Sequence, residues 1–202
     1  RYLITDVIGA GIFERAWYLR GFEDFLMEIM IEKKFAHAFL EKILERQIEA
    51  YGAIAEHIGP YIEGVWLTDD VATQDSLMFS PEVYREMVKP YQKRLLDFLR
   101  SKNMKVVFHT CGAVRPLIPD LLEIGAEIFH PIQLNAKGMD SAELKKEFGK
   151  DMVFWGGGCD IGVLQFGTPE DVREEVKRRI GDLAPGGGFV FTPTHCIQPG
   201  TP

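Results

Sequence analysis

Short apolar runs alternate along this chain with longer stretches whose apolar positions recur every three to five residues. Six runs, Tyr2–Val7, Gly64–Thr68, Met104–His109, Glu127–His130, Met152–Trp155 and Phe189–Thr192, are rich in Val, Ile, Phe and Leu. Such runs predict strands covered on both faces, as in a parallel sheet. Between them, Phe35, Phe39, Ile43, Leu44, Ile48 and Tyr51 mark one face of a long helix. His37 and His57 lie on this helix and are expected at its surface. Ser80-Pro81-Glu82 combines an N-cap, a first-turn proline and an acid at the positive helix end. Pro90 is expected to kink the helix that follows. Thr168-Pro169-Glu170-Asp171 is a second start, of capping-box type, with Val172, Val176 and Ile180 as the expected buried face. Gly186–Gly188 closes that unit before Phe189.

Strands that alternate with helices predict a parallel α/β architecture, either an open doubly wound sheet or a closed (β/α)8 TIM barrel. A doubly wound nucleotide fold usually carries a glycine fingerprint after its first strand, and none is present. Trp155-Gly156-Gly157-Gly158 follows a strand, but its spacing fits neither a dinucleotide loop nor a P-loop; a tight turn is the expectation. There is no internal repeat and no linker, so residues 1–202 read as a single domain.

Composition adds boundaries. The chain has 202 residues, 46% of them hydrophobic and 26% charged, which excludes a disordered or low-complexity protein. The net charge of −7 disfavours a nucleic-acid partner. No apolar stretch is long enough for a membrane helix. Cys111, Cys159 and Cys196 are too few and too scattered for a disulfide framework, which fits a reducing cytoplasm.

The chemistry concentrates at strand ends. His109, His130 and His195 each fall at the C-terminal end of an expected strand; Asp69 and Asp70 end another, and Cys159-Asp160 follows a fourth. In a barrel these ends converge on one mouth, where active sites sit. His109 and Cys111, two apart on a strand, point to the same side. An imidazole and a thiol so placed suit Zn2+, whose catalytic sites use three protein ligands and an open position. Cys196 could supply the third ligand, with its neighbour His195 competing for the inward direction. The competing reading is that the thiols are small buried hydrophobes.

Several motifs, in order, resemble the uroporphyrinogen decarboxylase superfamily. They are Ile12–Gly21, Ser80–Tyr84, Lys105–Gly112, Arg115–Leu122, His130-Pro-Ile-Gln133, Phe154–Asp160, Phe166–Glu170 and Pro193–Pro199. The resemblance implies a (β/α)8 barrel with its site at the C-terminal mouth. It also implies one of two activities. The first is zinc-dependent transfer of a methyl group between a corrinoid and a thiol or similar acceptor. His109, Cys111 and Cys196 match the zinc pattern of such methyltransferases. Asp70 is then a fourth ligand or an orienting group, and His130, Gln133 and Asp160 are expected on the cofactor side. The second is cofactor-free decarboxylation of uroporphyrinogen in haem biosynthesis, for which Tyr18 and His195 match pocket residues. A non-catalytic tetrapyrrole-binding protein is a third reading. Implied partners are a corrinoid protein, or a free corrinoid or tetrapyrrole, with a homodimer as the family's usual assembly.

The family barrel has eight strands and six are readable here. The chain starts at Arg1 and stops at Pro202, so the expectation is one barrel truncated at both ends. Such a piece would expose two strand edges and is expected to aggregate, or to unfold without cooperativity, when expressed alone.

Overall fold

The computed structural model describes residues 4–5 and 9–202. Its strands are β1 (Ile4–Thr5), β2 (Gly64–Thr68), β3 (Lys105–His109), β4 (Ile128–His130), β5 (Val153–Trp155) and β6 (Phe189–Val190). All pair in parallel, each with its sequence neighbour, in the order 1-2-3-4-5-6. A doubly wound sheet reverses its order at a switch point; this one does not, and the architecture is of TIM-barrel type. The remainder of the expected first strand lies outside the described residues.

Strand parity explains the core. Val65, Leu67, Val106, Phe108, Phe129 and Phe154 point outward and are buried against the helices. Each such side chain contributes roughly 1.5–3 kcal/mol. Their alternates Trp66, Thr68, His109, His130 and Trp155 point into the barrel and line a cavity. On that inner face Val107 is fully buried, while Trp66, Thr68 and Trp155 are half-buried. Register places Thr68, His109 and His130 side by side in one row.

The helices are α1 (Ile12–Arg20), α2 (Phe22–Ile31), α3 (Lys33–Ile58), α4 (Pro81–Val83), α5 (Lys89–Ser101), α6 (Ile118–Glu123), α7 (Ser141–Phe148), α8 (Ile161–Phe166) and α9 (Pro169–Leu183). Helix α3 buries Leu40, Ile43, Leu44 and Tyr51, but Phe35 is exposed and stacks on Phe39 at the helix edge. His57 is exposed as expected; His37 is half-buried, its Nδ1 2.8 Å from the Tyr91 hydroxyl.

In place of a kinked helix at Pro90, a π-helical turn over Tyr84–Val88 joins α4 to α5. Pro90 has no N–H to return to the carbonyl four residues back. The Lys89 N–H instead reaches the carbonyl of Tyr84, five residues back. Ser80 caps α4, its hydroxyl accepting from the Val83 N–H. The capping box at α9 forms, with Thr168 and Asp171 each satisfying the other's backbone N–H. The face of α9 differs from expectation: Ile180 is exposed, Val172 and Val176 are half-buried, and Arg179 and Leu183 are buried. The buried face of the helix is set toward its polar contacts with α7. Arg179 donates to Ser141 at the start of α7 and to Glu175 on its own helix, tying α9 to α7.

Candidate metal centre at the barrel mouth

Asp69 and Asp70 follow β2, and their side chains divide the work. Asp69 is fully buried and accepts from the N–H groups of Ile12, Phe13 and Glu14, at 2.7–3.2 Å. A carboxylate at this helix start satisfies N–H groups that have no partner within α1. Gln92 adds a fourth donor at 2.7 Å and itself accepts from the Tyr84 hydroxyl of the π turn. The approach requires glycine at position 11, where a Cβ would lie 2.7 Å from the Asp69 side chain.

Asp70 turns to the mouth. Its Oδ1 accepts the Cys111 N–H at 2.7 Å and lies 3.9 Å from His109 Nε2. The Cys111 thiol is 3.4 Å from that same Nε2. The other ring nitrogen of His109, Nδ1, is 2.7 Å from His130 Nδ1. Gln133 Oε1 accepts the Gly112 N–H at 2.7 Å, and the His130 carbonyl accepts from Thr110. The ends of β2, β3 and β4 are thus cross-braced.

His195 enters from the segment after β6. Its ring meets His109 edge to face at 5.6 Å, and ligand atoms of His109, Cys111 and His195 lie within 4.8 Å of one another. The structure places His195, rather than Cys196, in the third position of this cluster. Cys196 is exposed, yet it lines both adjoining cavities with His195. One cavity, of about 600 Å³, is walled by Trp66, Trp155, His109 and His130. The other, of about 310 Å³, is lined by Cys111, Gln74, Gln133, Asn135 and Asp160. Asp160 is also committed to helix α8, where its Oδ1 accepts from Gly162 and Val163. Gly156 has φ +87°, and a Cβ there would press on the His130 ring at 3.2 Å, so the expected turn doubles as the floor beneath that ring.

Electrostatics follow from this crowding. Burial pushes the Cys111 thiol up to about 12, with the Asp70 and Glu14 carboxylates adding to the effect. Burial pushes His130 down to about 3, with His109 and His195 adding to it. Tyr18 stands apart: it is 59% exposed, lines neither cavity, and donates to Glu14 at 2.7 Å. That hydrogen bond is the main reason its hydroxyl is pushed up to about 12. Glu14 is a buried carboxyl that sequence reasoning missed; burial raises its pKa, and Asp70 adds to the rise. The tryptophan walls were missed as well. Trp66 shares the parity of Thr68 within β2, and that signal would have placed it beside the histidines.

A parallel sheet of nearest-neighbour order, with nitrogen and sulfur donors gathered at the C-terminal ends of its strands, defines the class: an α/β protein of TIM-barrel type. The family model for uroporphyrinogen decarboxylase (URO-D) matches residues 7–202, and the chain belongs to that family. It is 26% identical over 201 residues to a methylcobamide:CoM methyltransferase MtaA of Methanosarcina barkeri, covering 97% of this chain and 52% of the relative. It is 28% identical over 125 residues to a methylcobamide:CoM methyltransferase MtbA of Methanosarcina acetivorans, covering 58% of this chain and 34% of the relative. A solved methyltransferase from Methanosarcina mazei shares the fold, with a TM-score of 0.76 and 22% identity over 96% of this chain and 53% of that one. The chain spans about half the length of the relatives it matches. Among the described residues, no helix is long and apolar enough to cross a membrane.

Proposed function

We propose that this chain carries the metal centre of a zinc-dependent methyltransferase that moves a methyl group between a corrinoid and a thiol or similar acceptor. The observation that carries the reading is the convergence of His109, Cys111 and His195 at the mouth, with Cys196 next in the chain. Two imidazoles and a thiol are the donor types zinc prefers, and three protein ligands leave a position open. Cys196, next in the chain and on the walls of both cavities, is the alternative third ligand. Zinc held there supplies a Lewis acid that lowers the pKa of an acceptor thiol.

The remaining work falls to the chain itself. Asp70 fixes the Cys111 backbone, and Gln133 fixes Gly112. The Trp66 and Trp155 rings keep one side of the site apolar and offer flat faces to a macrocycle, such as a methyl-corrinoid held by a partner protein or free in solution. His130, Gln133 and Asp160 stand on the cavity walls where the sequence reading puts the cofactor. Three free thiols suit a reducing cytoplasm. The experiment is metal analysis of the full-length protein: about one zinc per chain is expected, lost in Cys111→Ser. No stoichiometric zinc, or the same zinc in that variant, overturns the reading. The decarboxylase alternative rests on Tyr18 and His195; His195 lines both cavities at the mouth and Tyr18 lines neither of these two. Coproporphyrinogen formation by the full-length protein would favour it.

A further inference from the structure

We infer that His130 is a positioning residue that decides which nitrogen of His109 faces the metal. The inference rests on the zinc reading and adds a residue that touches neither metal nor acceptor. The two Nδ1 atoms are 2.7 Å apart and both rings are buried, so one Nδ1 carries the proton and the other accepts it. His109 Nε2 is the nitrogen that faces Cys111 and Asp70. A metal on that side needs the Nε2 lone pair. The His109 proton must then sit on Nδ1, and His130 Nδ1 must be the acceptor, with its own proton on Nε2.

His130 is held for this task. Its ring meets Trp66 at 4.4 Å and 60°, Gly156 packs beneath it, and its carbonyl accepts from the Thr110 N–H. Its contact with His109 runs between neighbouring strands at the in-register pair His109 and His130. Ligating histidines commonly donate their second N–H to a carboxylate, a carbonyl or water. Here a neutral imidazole takes that place. With it removed, this contact no longer favours the proton on Nδ1 over Nε2, so a smaller share of His109 presents the Nε2 lone pair to the metal.

Two variants of the full-length protein separate this role from packing. His130→Phe keeps a ring against Trp66 but removes the acceptor. His130→Asn loses the ring but keeps an acceptor oxygen near the place of Nδ1. Zinc affinity is read by chelator competition, and coordination by the visible spectrum of the cobalt(II)-loaded protein. His130→Phe is expected to bind zinc roughly 10–100-fold more weakly and to shift the cobalt bands. His130→Asn is expected to stay within a few-fold of wild type with unshifted bands. Equal affinity in wild type and His130→Phe overturns the inference, as does an equal loss in both variants. Failure of the zinc reading has its own signature, wild-type protein that takes up no metal, and that result removes this inference as well.

Discussion

Two sides of the barrel mouth are built differently. On the side of β2, β3 and β4, the backbone N–H groups of Asp69, Thr110, Cys111 and Gly112 each bond to a residue on a neighbouring strand or its loop, and His109 and His130 are buried. On the side that follows β6, Thr194 is buried and its N–H and hydroxyl both reach the Cys159 carbonyl. Beyond it His195, Cys196, Ile197 and Gln198 are exposed; Gln198 donates to the Cys196 carbonyl and its own carbonyl accepts from Thr201. On one side, hydrogen bonds between neighbouring strands and their loops hold the donors; on the other, the described contacts of the donor segment are the Thr194 bonds to Cys159 and the His195 ring against His109.

The largest expected effect tests the side of β2, β3 and β4. Asp69→Ala leaves three helix N–H groups and the Gln92 amide without their acceptor. Each lost partner costs about 1–3 kcal/mol, so a loss of roughly 3–5 kcal/mol after relaxation is expected by denaturant titration. A change below about 1 kcal/mol would break the contrast. Acid comes next. The His130 pKa lies below its unfolded value of about 6.5, so neutral His130 contributes stability that is fully present above pH 6.5. The unfolded chain takes up the proton first, and this stability is lost as pH falls toward about 3. The groups that face it are His109 and His195. An acid limb of the order of 2–4 kcal/mol is expected, and His130→Asn should flatten it in equilibrium unfolding followed from pH 7 to pH 4.

The side that follows β6 is tested by His195→Ala against Cys196→Ser. One should lose about 100-fold in zinc affinity, near 2.7 kcal/mol, and the other only a few-fold. Equal losses would mean that both residues ligate. The smallest effect is a control distant from both sides: Thr168→Ala should cost about 1 kcal/mol of stability through the α9 cap and leave zinc affinity unchanged.

The same contrast separates what could be read from the chain from what could not. Gly64–Thr68 is legible to the residue, bracketed by glycine and by two aspartates. Met104 and Met152 look like strand but return their N–H groups to Leu99 and Phe148, which completes the preceding helical turns. The His109-x-Cys111 pair is legible because strand parity puts both on one side. The division between Asp69 and Asp70 is not, since adjacent residues alternate and nothing local says which turns inward. For the same reason the choice between His195 and Cys196 had to come from the path of the chain. Glu14 was hidden because its helical neighbours give no hint that α1 starts at the mouth.

The strand order carries a consequence for synthesis. Each strand pairs with the one made before it, so a growing chain can add units without waiting for distant partners. Residues through Gln133, which complete the braced side, leave the ribosome seconds before His195 and Cys196 at ordinary elongation rates. Of the donors in the cluster, those after β6 are therefore the last to be made, and the cluster cannot form before they arrive.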